Sequence, residues 1–139
     1  MATTDRYTAR TERCLGEVHP DLAKIFRRAR EMARAAGKAE PVVTCGKRSV
    51  AEQREMVAKG ASKTMNSRHL PASNGYSHAL DICFIINGRM DWSWPLYKGY
   101  ADFMKRAAKE LKLTVEWGGD WKTFKDGPHF QLPFSKYPK

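Results

Sequence analysis

The chain carries four histidines, His19, His69, His78 and His129, and the last three lie near acidic residues in a suggestive order. His69 and His78 precede Asp81, and Asp126 stands three positions before His129. A hydrolytic zinc centre takes three protein donors from His, Asp or Glu and keeps a fourth position open. A carboxylate beside such a centre can carry protons to and from the reacting groups. Asp81 falls at the start of Ala79-Leu-Asp-Ile-Cys-Phe-Ile-Ile86, where a carboxylate is costly unless it is paired or coordinated. His129 opens the last apolar stretch, so two of the donors come from strand edges. The first histidine donor is either His69 or His78. On an extended strand, residues three apart point to opposite faces, which turns His78 away from Asp81 unless a bulge intervenes. His19, just before Pro20, reads as a surface residue at the start of a helix.

The elements that must hold these residues are legible from spacing. Leu22, Ile25, Phe26, Ala29, Met32, Ala33 and Ala36 recur at three- and four-residue steps, predicting a helix from Pro20 to about Ala36. Pro41-Val-Val-Thr-Cys45 reads as a short buried strand. Ser49 and Glu52 form a capping box that opens a helix ending near Gly60. Residues 61–76 are polar and broken by Pro71 and Gly75, and read as loop. The strand 79–86 turns at Asn87-Gly88, a type I′ signal, into Arg89-Met-Asp-Trp92. Pro95 starts a second long helix with Leu96, Tyr100, Phe103, Met104, Ala107 and Leu111 on one stripe. Residues 114–117 and 128–132 are short terminal strands. Trp92 and Trp94 read as core or hairpin packing. The order of elements predicts one α+β domain of 139 residues, its core spanning about 20–132 with short polar extensions.

Composition narrows the class. Hydrophobic residues make up 42 % and 25 Lys plus Arg stand against 15 Asp plus Glu, a net charge of +10. That is a globular chain rather than a disordered one. No apolar run reaches the roughly 20 residues of a membrane helix. The N-terminal residues show no apolar signal segment. Three cysteines, Cys14, Cys45 and Cys83, form no CxxC pair, which excludes a zinc ribbon or thioredoxin-type motif. Cys45 and Cys83 sit in apolar runs as small buried thiols. The positive charge favours a polyanionic partner, but the dense basic group between Lys24 and Arg34 reads as the solvated face of a helix.

Four segments in order carry a resemblance: Ser67-Arg-His69, Ala79-Leu-Asp81, Trp117-Gly-Gly-Asp-Trp121 and Asp126-Gly-Pro-His-Phe-Gln-Leu132. They resemble the zinc peptidases that include D-alanyl-D-alanine carboxypeptidases, vancomycin-resistance dipeptidases and phage L-alanyl-D-glutamate endolysins. Gly46-Lys-Arg48 with Gln53 is similar to that family's arginine turn and following helix. The resemblance implies a hedgehog/DD-peptidase-like α+β fold, a short, mainly antiparallel sheet flanked by helices. It implies one zinc ion per chain held by His69, Asp81 and His129, with Asp126 as general base and Arg48 steadying a carbonyl oxygen or substrate carboxylate. Ser67, Gln53, Asp120, Trp117 and Trp121 would contact substrate or support the site, and Asp120 is the rival base. Seven steps usually separate the first histidine from the aspartate in this family; here there are twelve, which implies an insertion at residues 71–75.

The function so implied is hydrolysis of bacterial peptidoglycan stem peptides by a phage endolysin, at the L-alanyl-D-glutamate bond. A D-alanyl-D-alanine carboxypeptidase on the same scaffold is the alternative, and a basic nucleic-acid-binding module is a weaker one, since no nucleic-acid motif is present. A monomer is expected, made in the host cytoplasm and released to the wall by a separate holin-type membrane partner.

Overall fold

The most apolar stretch of the sequence becomes the centre of the sheet. The computed structural model describes residues 2–45, 47–60, 68–122 and 125–137. Its elements are α1 (Ala2–Leu15), α2 (Pro20–Ala35), β1 (Val42–Cys45), α3 (Val50–Ala58), β2 (Ala79–Ile86), β3 (Arg89–Asp91), α4 (Trp94–Glu110), β4 (Glu116–Trp117) and β5 (His129–Gln131). The strands run β1-β2-β5-β4, all antiparallel, and β3 folds back on the far end of β2. Asn87 and Gly88 both take positive φ, 52° and 78°, the pair that a type I′ hairpin requires. The predicted α+β architecture is the observed one.

The apolar stripes of α2 and α4 pack together and onto the sheet. Leu22, Ile25, Phe26, Tyr100, Ala101 and Met104 meet Leu80, Ile82, Phe84 and Phe130 in one core. The Tyr100 hydroxyl donates to the Phe26 carbonyl at 3.0 Å, satisfying its one buried polar group. Ser49 and Glu52 form the capping box at the start of α3.

Several expectations are corrected. α1 was not legible in the sequence; it docks on β1, burying Cys14 and Leu15, and its Thr11 hydroxyl accepts from Val43 N at 3.0 Å. His19 is not a free surface residue: its Nδ1 accepts from Asp21 N at 3.0 Å and caps α2, and its ring lies edge-on to His78. Of the two alternatives for Trp92 and Trp94 the core one fails, at 58 % and 44 % exposure; they pack instead against Tyr97 and Trp117. The basic face of α2 is solvated, as expected, and its exposed arginines pair with acidic residues, Arg27 with Glu12 of α1 and Arg28 with Glu110 of α4. Cys83 is buried, as expected of a small thiol in an apolar run; the Cys45 side chain lies outside the described residues, as does the 61–67 part of the predicted loop.

Candidate metal and catalytic site

Three strands converge on Asp81. The β2–β5 register sets Asp81 directly opposite His129, and the β1–β2 register sets it opposite Cys45, next to an irregularity between Val43 and Cys45. Cross-strand partners share a face, so the Asp81 carboxylate and the His129 imidazole meet without help from any loop. His129 Nδ1 lies 3.2 Å from Asp81 Oδ1.

His69 arrives from the loop before β2, and backbone ties fix it there. The His69 carbonyl accepts from Arg48 N at 2.8 Å, and the Arg68 carbonyl accepts from His78 N at 2.9 Å and from the Ser77 hydroxyl at 3.1 Å. Arg68 is itself buried, its guanidinium donating to the Leu132 and Tyr137 carbonyls. Residues 71–75, read from the sequence as an insertion, loop out. Ala72 and Tyr76 pair at 2.9 Å, Pro71 bridges to Ser77, and Gly75 takes φ +83°, a conformation open to glycine. The chain therefore returns on itself across the insertion, and His69 Nε2 comes to 3.3 Å from Asp81 Oδ2.

Donor atoms of His69, Asp81 and His129 all lie within 4.8 Å of one another. Among the described residues this is the cluster able to hold a metal ion, and its chemistry fits one. Both imidazoles are buried at 3 % and 7 % exposure, and each turns a ring nitrogen to a different oxygen of the same carboxylate. His129 engages its other nitrogen, Nε2, with Gln131 Oε1 at 2.8 Å, the kind of outer contact that metal-bound histidines make. Two imidazoles and a carboxylate are also the donor types of three-ligand zinc sites.

Two carboxylates in this region are pushed in opposite directions. Burial alone would raise Asp81, but His69 and His129 overcome it and hold the carboxyl far below its usual range. Asp126 is raised, by burial first and by the Asp81 charge next, with His129, His69 and Arg48 opposing. Asp126 sits on the turn that delivers His129, its carbonyl accepting from His129 N at 3.2 Å and its own N–H donating to Gly118 O at 3.0 Å. Arg48 donates to Gln53 Oε1 at 2.6 Å, and Gln53 is wholly buried at the root of α3.

A family model described as phage L-alanyl-D-glutamate peptidase matches residues 4–132. The chain belongs to that family. It is 31 % identical over 124 residues to the peptidoglycan L-alanyl-D-glutamate endopeptidase CwlK of Bacillus subtilis, covering 84 % of this chain and 74 % of the relative. It is 28 % identical to the L-alanyl-D-glutamate peptidase of Escherichia phage T5, covering 84 % and 81 %. It is 37 % identical over 91 residues to that of Listeria phage A118; the match takes in 65 % of this chain but spans only 29 % of that longer protein. Among solved structures, the Serratia marcescens L-Ala D-Glu endopeptidase ChiX superposes with a TM-score of 0.83 at 45 % identity, over 95 % of this chain and 92 % of that one.

The remaining residues that the family pattern brought forward are placed as follows. Trp121 tilts over His129 with ring centroids 5.1 Å apart, so it lines the cluster. Trp117 is buried and donates from Nε1 to Gly127 O at 2.7 Å, bracing the turn between Asp126 and His129. Asp120 is given a surface partner instead: its carboxylate pairs with Lys105 at 2.7 Å and is about half exposed. His78 packs with His19 and Tyr137, and its Nε2 faces Asn74 at 3.2 Å. Ser67 lies outside the described residues. Gln131, which the sequence reading assigned no role, does touch the cluster; its signal was the two-residue step from His129 on one strand, which returns to the same face.

Proposed function

We propose that this chain is a zinc-dependent endopeptidase cutting the L-alanyl-D-glutamate bond of peptidoglycan stem peptides in the manner of a phage endolysin. The observation that carries the reading is the convergence of the His69, Asp81 and His129 donor atoms beside the turn that bears Asp126. His69, Asp81 and His129 would hold the ion. When bound, zinc supplies Lewis acidity toward the scissile carbonyl and the attacking water. Asp126 takes a proton from that water and returns it to the leaving amine of the D-glutamate residue. Burial and the neighbouring Asp81 charge raise its carboxyl, which makes it a stronger base toward that water. Arg48, held by Gln53, steadies the carbonyl oxygen or a stem-peptide carboxylate. Trp121 covers one side of the His129 ring.

The names of the relatives favour this bond over D-alanyl-D-alanine. No helix among the described residues is long and apolar enough to cross a membrane. We also propose, from the phage relatives, that the chain acts as a monomer and that a separate holin-type partner gives it access from the host cytoplasm to the wall. Mass spectrometry of fragments released from purified peptidoglycan tests the reading. New N-terminal D-glutamate residues, formed with zinc and not after chelation, are expected. Release of free D-alanine alone would replace this reading with a carboxypeptidase.

A further inference from the structure

Strand alternation sets Gln131 on the face of His129, and the β4–β5 register sets it opposite Glu116. The Gln131 amide oxygen meets His129 Nε2 at 2.8 Å, and its amide nitrogen donates to Glu116 Oε1 at 3.0 Å. An isolated glutamine amide can present either end to a neighbour. A carboxylate only accepts, so Glu116 claims the NH₂ end and leaves the oxygen facing the imidazole. That oxygen accepts in turn, which places the ring hydrogen on Nε2. Nδ1 is then the nitrogen that faces the cluster, 3.2 Å from Asp81 Oδ1, and a proton it shares with that carboxylate is the one a bound metal ion displaces.

We propose that Glu116 and Gln131 are positioning residues that hold His129 in its Nε2–H tautomer, so that Nδ1 is presented as the donor to the metal. The inference rests on the reading of His129 as a ligand. Gln131 and His129 are 9 % and 7 % exposed, so water competes weakly for either amide end or ring nitrogen. A neutral imidazole with its hydrogen on the wrong nitrogen would have to lose that contact before binding.

The test uses the whole chain. In the zinc-loaded protein, ¹⁵N imidazole shifts of His129 are expected to place the ring hydrogen on Nε2. Gln131→Met is expected to keep the fold by circular dichroism but to lower zinc affinity about 10–100-fold in chelator competition. Combining Glu116→Gln with Gln131→Glu exchanges the two ends of the chain of hydrogen bonds and puts an acceptor back against Nε2. That double variant is expected to return zinc affinity close to wild type. A ring hydrogen on Nδ1 in the zinc-loaded protein, undiminished affinity in Gln131→Met, or a loss that the exchange does not recover would each overturn the proposal. Full zinc binding by His129→Ala is a separate result, and it would instead remove the ligand assignment beneath it.

Discussion

Gly118 is expected to be one of the two least replaceable glycines among the described residues, with Gly119, and Gly118→Ala measures how tightly the site turn is seated. A Cβ there would stand 2.3 Å from the Asp126 carbonyl oxygen, 3.0 Å from Asp126 Cβ and 3.1 Å from His129 Cβ. Ordinary contact begins at 3.4 Å, so the worst overlap is about 1 Å, against backbone that has no rotamer to swing aside. The turn carrying Asp126 and His129 must therefore move by about that distance. Overpacking of this kind costs about 1–3 kcal/mol, or a fall of about 3–10 °C in Tm for a chain of this size. Misplacing reacting groups by about 1 Å can cost about 10²-fold in rate. Clearing of a peptidoglycan suspension, with zinc content and thermal unfolding of the same preparation, reads all three. Gly99→Ala is the control: it sits in α4 with nothing within 4 Å of the new Cβ, and is expected to gain about 0.5–1 kcal/mol with full activity. Wild-type Tm and turnover in Gly118→Ala would refute the argument, because the turn would then be free to give without consequence.

His69→Ala is expected to lose zinc and activity together, whereas His78→Ala keeps both; the reverse pattern in metal analysis would show that the insertion has rebuilt the site around His78. Asp126→Asn is expected to retain zinc and lose about 10²–10⁴-fold in turnover, while Asp120→Asn, which breaks only the surface pair with Lys105, stays near wild type. Equal losses in the two variants would remove Asp126 as the base. Ser49→Ala, which removes the side-chain acceptor for Glu52 N at the start of α3, is expected to lower stability by about 0.5–2 kcal/mol in thermal or urea unfolding. An unchanged melting curve would mean that α3 does not unfold with the rest of the domain.

The twelve-residue spacing between His69 and Asp81 does not keep the two side chains apart. Closing a longer flexible loop costs little chain entropy, and here the two ends of the extra segment are tied by Pro71–Ser77 pairing before the chain enters β2. The ligand geometry depends on where the ends are held, through Arg48 N and Ser77 Oγ, and not on the number of residues between them.

Local signals were enough for most of the framework. The three- and four-residue periodicities of α2 and α4, the Ser49 box, the Asn87-Gly88 turn and the apolar run of β2 each depend on interactions within a few residues, so they can be read in one pass along the chain. The candidate donors His69, Asp81 and His129, and Asp126 beside them, were likewise visible as residue types in a characteristic order. Their meeting was not, because it depends on β2–β5 register and on the fold-back of a loop, both of which pair residues far apart in sequence. The same holds for α1, whose polar composition hides the few residues, Thr11, Cys14 and Leu15, that β1 and the core bury. Asp120 and Asp126 are both acidic residues in glycine turns, and locally only the three-residue step from Asp126 to His129 separates them. Packing does so, leaving one on the surface with Lys105 and pressing the other against Gly118, where loss of solvent and the neighbouring Asp81 charge raise its carboxyl. Sequence set out the groups and the elements that carry them; desolvation and strand register, which exist only once distant segments have come together, decided which of those groups act on one another.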